Sequence, residues 1–314
     1  MSTIECYEPD FVRSFLFHNP DSPLHLRMAW QNEIRQSLAL TEAASCKAAL
    51  EAPHTFALHV TQCEAEPGSR ALSLRDRQLN QSALNTVTLP GLSPEMRLYA
   101  LGIMLSYSEK LPGDSTEILE GIASLPDILA GYAEEGKLQE QFRLLPAVPQ
   151  LQCSLLTRMG SFEFDWQTLP DTPRKASLPL QVSLLMLQDA NSEVLLQRQL
   201  QSQWPETYER YFAQTPWIFS NYLIYRLYHD MFPQHDSENV IHRYFELVTD
   251  FHLIRTLFTL WTLDGSAINQ DEIFALFALF ERWRHSADAP LARQQLLPIL
   301  PADHLLSAFS LLID

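Results

Sequence analysis

The stretch SENVIHRYFELVTDFHLIRTLFTLWTLDG, residues 237–265, decides the fold. Val240, Tyr244, Leu247, Val248, Phe251 and Ile254 recur three and four positions apart, the spacing that places side chains on one face of a helix. Ser237 offers a start. Asp264-Gly265 offers a stop, because glycine takes the left-handed conformation that closes a helix without a Cβ clash. The same pattern returns on both sides. Upstream it runs through the aromatic block Pro216 to Phe232 and through SLPLQVSLLMLQDANSEVLLQRQLQSQ (177–203); downstream it recurs over Asn269 to His285 and Pro301 to Ile313. Ser93-Pro94, Thr215-Pro216 and Ser22-Pro23 each set proline after a capping residue, where its fixed φ and missing N–H suit a first helical turn. After Ser93, residues Met96, Tyr99, Ala100, Ile103, Met104 and Tyr107 predict a helix over 94–110, with further helices over 116–124 and 126–145.

Two stretches depart from this pattern. Residues 146–176 contain Pro146, Pro149, Gly160, Pro170 and Pro173, with aromatic and polar residues alternating over Ser161 to Trp166, and read as a proline-rich linker or hairpin. HTFALHV and NTVTLPG, within 54–92, carry β-branched and apolar residues without helical spacing. The expected class is therefore mainly α, a multi-helix orthogonal bundle, with a short hairpin or small strands in the 54–92 or 160–168 regions. The expected organisation is a helical region 1–145, the segment 146–176 and a helical region 177–314, with one compact domain as the alternative.

Composition narrows the function. Lys and Arg number 22 against 38 Asp and Glu in 314 residues, a formal charge of −16 that repels phosphate backbones, so no nucleic-acid partner is expected. Only 9 glycines accompany 20 prolines, which argues against glycine-rich phosphate cradles. Gly131-Tyr-Ala-Glu-Glu-Gly136-Lys137-Leu138 matches a phosphate loop except where a hydroxyl must reach Mg²⁺, and it sits in an acidic helical segment. Neither G-x-G-x-x-G nor G-x-S-x-G occurs. Cys6, Cys46, Cys63 and Cys153 are scattered, as in a reduced cytoplasmic chain, and the acidic opening MSTIECYEPD lacks the basic start of a secretory leader. No apolar run approaches the roughly 18 residues that span a bilayer, so no membrane association is expected.

The chemistry-bearing candidates gather in the second half. His229, His235, His242 and His252 make no H-E-x-x-H; His242 and Glu246 share a helix face, which usually means a solvent-facing contact, and no metal site is expected. On a helix over 217–232, Tyr222, Tyr225, Arg226 and His229 fall near one side, and Arg226 reaches Asp230 at i,i+4. Such a surface is either a pocket in which hydroxyls and a guanidinium orient a polar ligand, or a core helix whose polar tips find partners inside. Arg255, Arg282 and His285 raise the same alternative, since a buried charge needs a partner.

Here the sequence resembles the flagellin lysine-N-methylase family. Asn221-Tyr-Leu-Ile-Tyr-Arg-Leu-Tyr-His-Asp-Met-Phe-Pro233 is similar to the family's aromatic helix ending in Phe-Pro, and Tyr244 to Arg255 to the helix that follows. Asp271-Glu272-Ile273 with Arg282 and His285-Ser286 resembles its closing helix, Tyr7 to Phe15 its opening segment, and Leu92-Ser-Pro-Glu-Met-Arg-Leu98 a stretch often reading Ser-Cys-Pro-Glu. The resemblance implies methyl transfer from S-adenosylmethionine to lysine ε-amines of flagellin or another flagellar protein. It implies Tyr222 and Tyr225 as ring faces beside the reacting cation and Asp230 or His242 as proton acceptor. Arg226 or Arg255 would hold the donor's carboxylate, with Asn221, Arg282 and His285 also on the cofactor. Family members carry a cysteine-rich region expected to hold an iron–sulfur cluster, which needs about four thiolates. Phe15 runs into Leu-Phe-His-Asn-Pro-Asp-Ser-Pro with no cysteine, and none stands beside Ser93-Pro94, so no cluster is expected. The alternative is a non-catalytic paralogue that binds flagellin or another partner.

Overall fold

The computed structural model describes residues 3–66, 68–233, 239–294 and 303–313. Among these the protein is mainly helical with one small sheet. In chain order the elements are β1 (Thr3–Pro9), α1 (Asp10–His18), β2 (His25–Ala29), β3 (Glu33–Leu38), α2 (Ala43–Leu50), β4 (Leu58–Glu64), α3 (Leu74–Val87), α4 (Pro94–Glu109), α5 (Thr116–Glu134) and α6 (Lys137–Arg143). They continue with α7 (Pro149–Met159), α8 (Pro173–Ser183), α9 (Ala190–Tyr211), α10 (Trp217–His229), α11 (Val240–Thr262), α12 (Gln270–Arg284), α13 (Asp288–Gln294) and α14 (His304–Leu312). Two compact units share them. The first comprises Met1–Ala39, Ala48–Leu145 and Trp217–Glu246; the second comprises Leu40–Lys47, Pro146–Pro216 and Leu247–Asp314.

The first unit holds the sheet, in the order β2-β3-β1-β4. β1 runs parallel to β3, with Cys6 opposite Ile34, and antiparallel to β4 from Thr3–Glu64 to Pro9–Leu58. One face carries Ile4, Cys6 and Ile34 with Cys63 and Ala65 against them. The other carries Glu5, Tyr7, Glu33 and Arg35, and meets α3 and α10. Those charges are affordable inside because they pair: Arg35 Nε lies 2.7 Å from Glu33 Oε1, and Arg77 Nε lies 3.1 Å from Glu33 Oε2. α4 begins as its sequence predicts, Ser93 accepting from the Met96 N–H with Pro94 in the first turn. Pro126 does not divide the next helix. α5 runs through it, because the Ile122 carbonyl that proline leaves unbonded accepts instead from the Ser82 hydroxyl at 3.1 Å.

In the second unit α12 is buried from Ile273 through Phe280. It starts on a reciprocal cap in which Asn269 accepts from the Glu272 N–H and Glu272 from the Asn269 N–H. Trp283 stacks on Phe162 with ring centroids 4.3 Å apart, and Phe258 links Phe212 and Phe277. The stretch 146–176, expected as linker or hairpin, forms α7 and the start of α8, because Pro149 and Pro173 occupy first helical turns where proline is tolerated. Of the two regions expected to hold strands, 54–92 contains β4, whereas 160–168 contains a single 3-10 turn at Trp166–Thr168. Ser22-Pro23 leads into β2 instead of a helix, and NTVTLPG contributes its first residues to the end of α3. Ser237, His235 and Pro301 lie outside the described residues. No helix among the described residues is long and apolar enough to cross a membrane.

Candidate functional site

The first unit presents the aromatic helix α10 to the sheet, and most of its polar atoms find backbone partners there. Asn221 Nδ2 donates to the Ala52 carbonyl at 2.7 Å and to Thr55 Oγ1 at 3.0 Å. The Tyr225 hydroxyl donates to the Leu38 carbonyl at 3.1 Å, and its ring stacks on His229, whose Nδ1 lies 2.9 Å from Ser37 Oγ. The Tyr228 hydroxyl donates to the Tyr7 carbonyl, while its ring lies 5.1 Å from the Arg35 guanidinium; burial pushes its phenol pKa up.

A second row of α10 forms a polar track. Arg226 donates through Nη1 to the Tyr222 hydroxyl at 3.3 Å and through Nε to Asp230 Oδ2 at 3.0 Å. Tyr222 and Arg226 are buried, whereas the Asp230 side chain keeps 29% of its exposure. The track therefore leads from a buried ring through a guanidinium to a carboxylate that water or a ligand can reach. Its lower end is fixed by an unusual cap. Met231 adopts φ of +49°, the Phe232 N–H donates to the Leu227 carbonyl at 3.0 Å and the Met231 N–H to Tyr228 at 3.4 Å, the double bond pattern that glycine usually closes. Asn80 on α3 holds this turn. Its amide donates to the Leu227 carbonyl at 2.8 Å and to Phe232 at 2.7 Å, and its oxygen accepts from Arg35 Nη1 at 2.9 Å. Sequence reading missed Asn80, because within LRDRQLNQSALN it looks like one more solvent-facing polar residue.

His242 lies half-buried on the first turn of α11, and Glu246 on the same helix pairs with Arg243 at 3.3 Å. The remaining candidates belong to the second unit and have separate partners. Arg255 is buried, donates to the Leu311 carbonyl at 3.3 Å and lies 5.8 Å from the Trp204 ring. Its neighbour His252 is buried with Nδ1 3.2 Å from the same carbonyl, and burial together with the Arg255 charge pushes its pKa down to about 3, so the imidazole is neutral at neutral pH. Arg282 donates to the Thr41 carbonyl and to Asp165, and His285 stands beside Arg284 and Glu281. The structure thus brings together Tyr222, Arg226 and Asp230, and assigns Asn221, Tyr225, Arg255, Arg282 and His285 to other contacts.

Among the described residues no three His, Cys, Asp or Glu side chains are arranged to hold a metal ion. The Cys46 thiol donates to the Leu40 carbonyl, and burial raises the pKa of Cys46, Cys63 and Cys153.

Residues 80–307, well over half of the chain, match the family model of the FliB lysine N-methylase C-terminal domain. The match takes in α4, α10, α11 and α12. No curated protein and no solved structure matches the chain.

Proposed function

The chain belongs to the family defined by the FliB lysine N-methylase C-terminal domain, and from that premise we propose that it methylates lysine ε-amines of flagellin. The family match across the candidate helices is the observation that carries this reading. S-adenosylmethionine is the proposed donor; when bound it supplies an electrophilic methyl group on a sulfonium. The lysine nitrogen must attack as the neutral amine, although free lysine has a pKa of about 10.4. Its lone pair forms the N–CH₃ bond as the C–S bond breaks, the electron pair leaves on sulfur, and one proton must depart from nitrogen.

Asp230 and His242 are the proposed proton acceptors: the first is a partly exposed carboxylate, the second a half-buried imidazole. Arg226, held between Tyr222 and Asp230, is proposed to orient an anionic group of donor or substrate, and the Tyr222 ring to flank the cation. Arg255, Arg282 and His285 are proposed cofactor contacts in the second unit. Asn221 and Tyr225 are proposed to position α10, since their polar atoms already bond Ala52, Thr55 and Leu38. The reaction is placed in the cytoplasm. A second reading, a non-catalytic paralogue that binds flagellin or another flagellar protein, is favoured by the burial of most α10 rings.

The test is label transfer from S-adenosylmethionine to purified flagellin. Asp230→Asn or His242→Gln, whichever residue accepts the proton, lowers kcat by about a hundredfold with partial recovery at high pH. Incorporation that neither change alters removes both from the mechanism, and flagellin binding without incorporation supports the second reading.

A further inference from the structure

In the second unit the last turn of α9 and the end of α11 enclose a recess of about 220 Å³, room for about seven waters. Its lining is polar and of both signs. Glu206 and Arg210 stand one turn apart on α9, at the spacing where opposite charges ordinarily pair. Among the described residues they do not pair with each other or with any other charged side chain. Arg210 instead rests over the Tyr211 ring, its guanidinium carbon 5.3 Å from the centroid. Between the helices, the buried Thr207 and Thr262 hydroxyls lie 2.7 Å apart. Thr262 directs its proton back to the carbonyls of Phe258 and Thr259, so Thr207 donates to Thr262 and keeps oxygen lone pairs to accept from a ligand. Gln203 and Ser266 add further hydrogen-bonding groups at the edge.

We infer that this recess is a binding site for the ammonium–carboxylate head of an α-amino acid. Arg210 takes the carboxylate through its planar fork. Glu206 and the Thr207 oxygen take the ammonium, which the negative ends of the two helices also favour. The volume suits an amino-acid end and is too small for a molecule that also carries a nucleoside. The chemistry has two sources, a free amino acid or the amino-acid end of a larger ligand whose remainder lies outside the recess. The inference goes beyond the methylase reading and uses none of the residues proposed for it.

The experiment is calorimetric titration of the full chain with L-methionine, S-adenosylhomocysteine and methylthioadenosine, which keeps the nucleoside and lacks the amino-acid head. L-Methionine binding identifies a free amino acid as sufficient; S-adenosylhomocysteine binding alone identifies the end of a larger ligand. In either case Arg210→Gln and Glu206→Gln each weaken binding about tenfold without changing the melting temperature, since both side chains are exposed. Failure of both L-methionine and S-adenosylhomocysteine to bind, methylthioadenosine binding as well as S-adenosylhomocysteine, or binding unchanged in either variant overturns the inference. Label transfer to flagellin is measured on the same proteins. Arg210-dependent binding without transfer sinks the methylase reading alone, and transfer with Arg210-independent binding sinks this inference alone.

Discussion

Replacing Asn80 with alanine tests the claim that a residue far from α10 in sequence fixes the turn where the Arg226–Asp230 pair ends. Asn80 is fully buried and makes three hydrogen bonds, to the carbonyls of Leu227 and Phe232 and from Arg35 Nη1. On truncation the Leu227 carbonyl keeps its bond from the Phe232 N–H. The Phe232 carbonyl loses the Asn80 amide, and Arg35 Nη1 keeps only a 3.5 Å contact to the Tyr228 carbonyl. A buried polar group left unsatisfied costs about 1–3 kcal/mol, more when one partner is charged, so the two losses sum to about 3 kcal/mol. Asn85→Ala is the internal control. It lies on the same helix, is exposed, accepts from Gln81, and gains the same helix propensity. Urea unfolding followed by circular dichroism then gives Asn80→Ala about 3 kcal/mol less stability than Asn85→Ala, with a melting temperature about 5 °C lower. Two variants within 1 kcal/mol of each other would refute the reasoning.

Ser82→Ala removes the hydroxyl that serves the Ile122 carbonyl and costs about 1–2 kcal/mol; in a Pro126→Ala background, where a backbone N–H returns to that carbonyl, the cost falls below half, which a double-mutant cycle measures. His252 has a folded pKa below its unfolded value, so the unfolded chain binds more protons and stability is lost as pH falls from about 6.5 toward 3. That amounts to about 2 kcal/mol between pH 7 and pH 5, and His252→Asn, which keeps a donor for Leu311, flattens the slope of urea midpoints over this interval. Asn269→Ala breaks both bonds of the reciprocal cap on α12 and costs about 1 kcal/mol by urea midpoint.

Local signals were readable from the chain. The Ser93 cap, the stop at Gly265 and the start at Asn269 depend on residues within one turn, and all three mark helix ends in the fold. The Arg226–Asp230 pair was legible for the same reason, being four positions apart on one helix. The sheet was mostly hidden. β1 and β3, TIECYEP and EIRQSL, alternate correctly, but the face turned toward the helices carries Glu5, Glu33 and Arg35, so the usual sign of an inward face is reversed. Those charges become acceptable only through Arg77 and Asn80, more than 40 positions further along. Proline misled in both directions: Pro126 sits inside a helix because Ser82 compensates for it, and Pro149 and Pro173 begin helices inside a stretch that composition marks as linker. Asn80 and the Glu206–Arg210 recess depend on which helices become neighbours, and one-dimensional spacing does not carry that information.

The most direct measurement is mass spectrometry of flagellin lysines after incubation with the purified full chain and S-adenosylmethionine. Methyl additions on flagellin lysines, reduced by Asp230→Asn or His242→Gln in a variant that melts as the parent does, are the predicted result. Unmodified flagellin in the presence of folded, flagellin-binding protein would contradict methyl transfer and leave a binding module built on the family's helices.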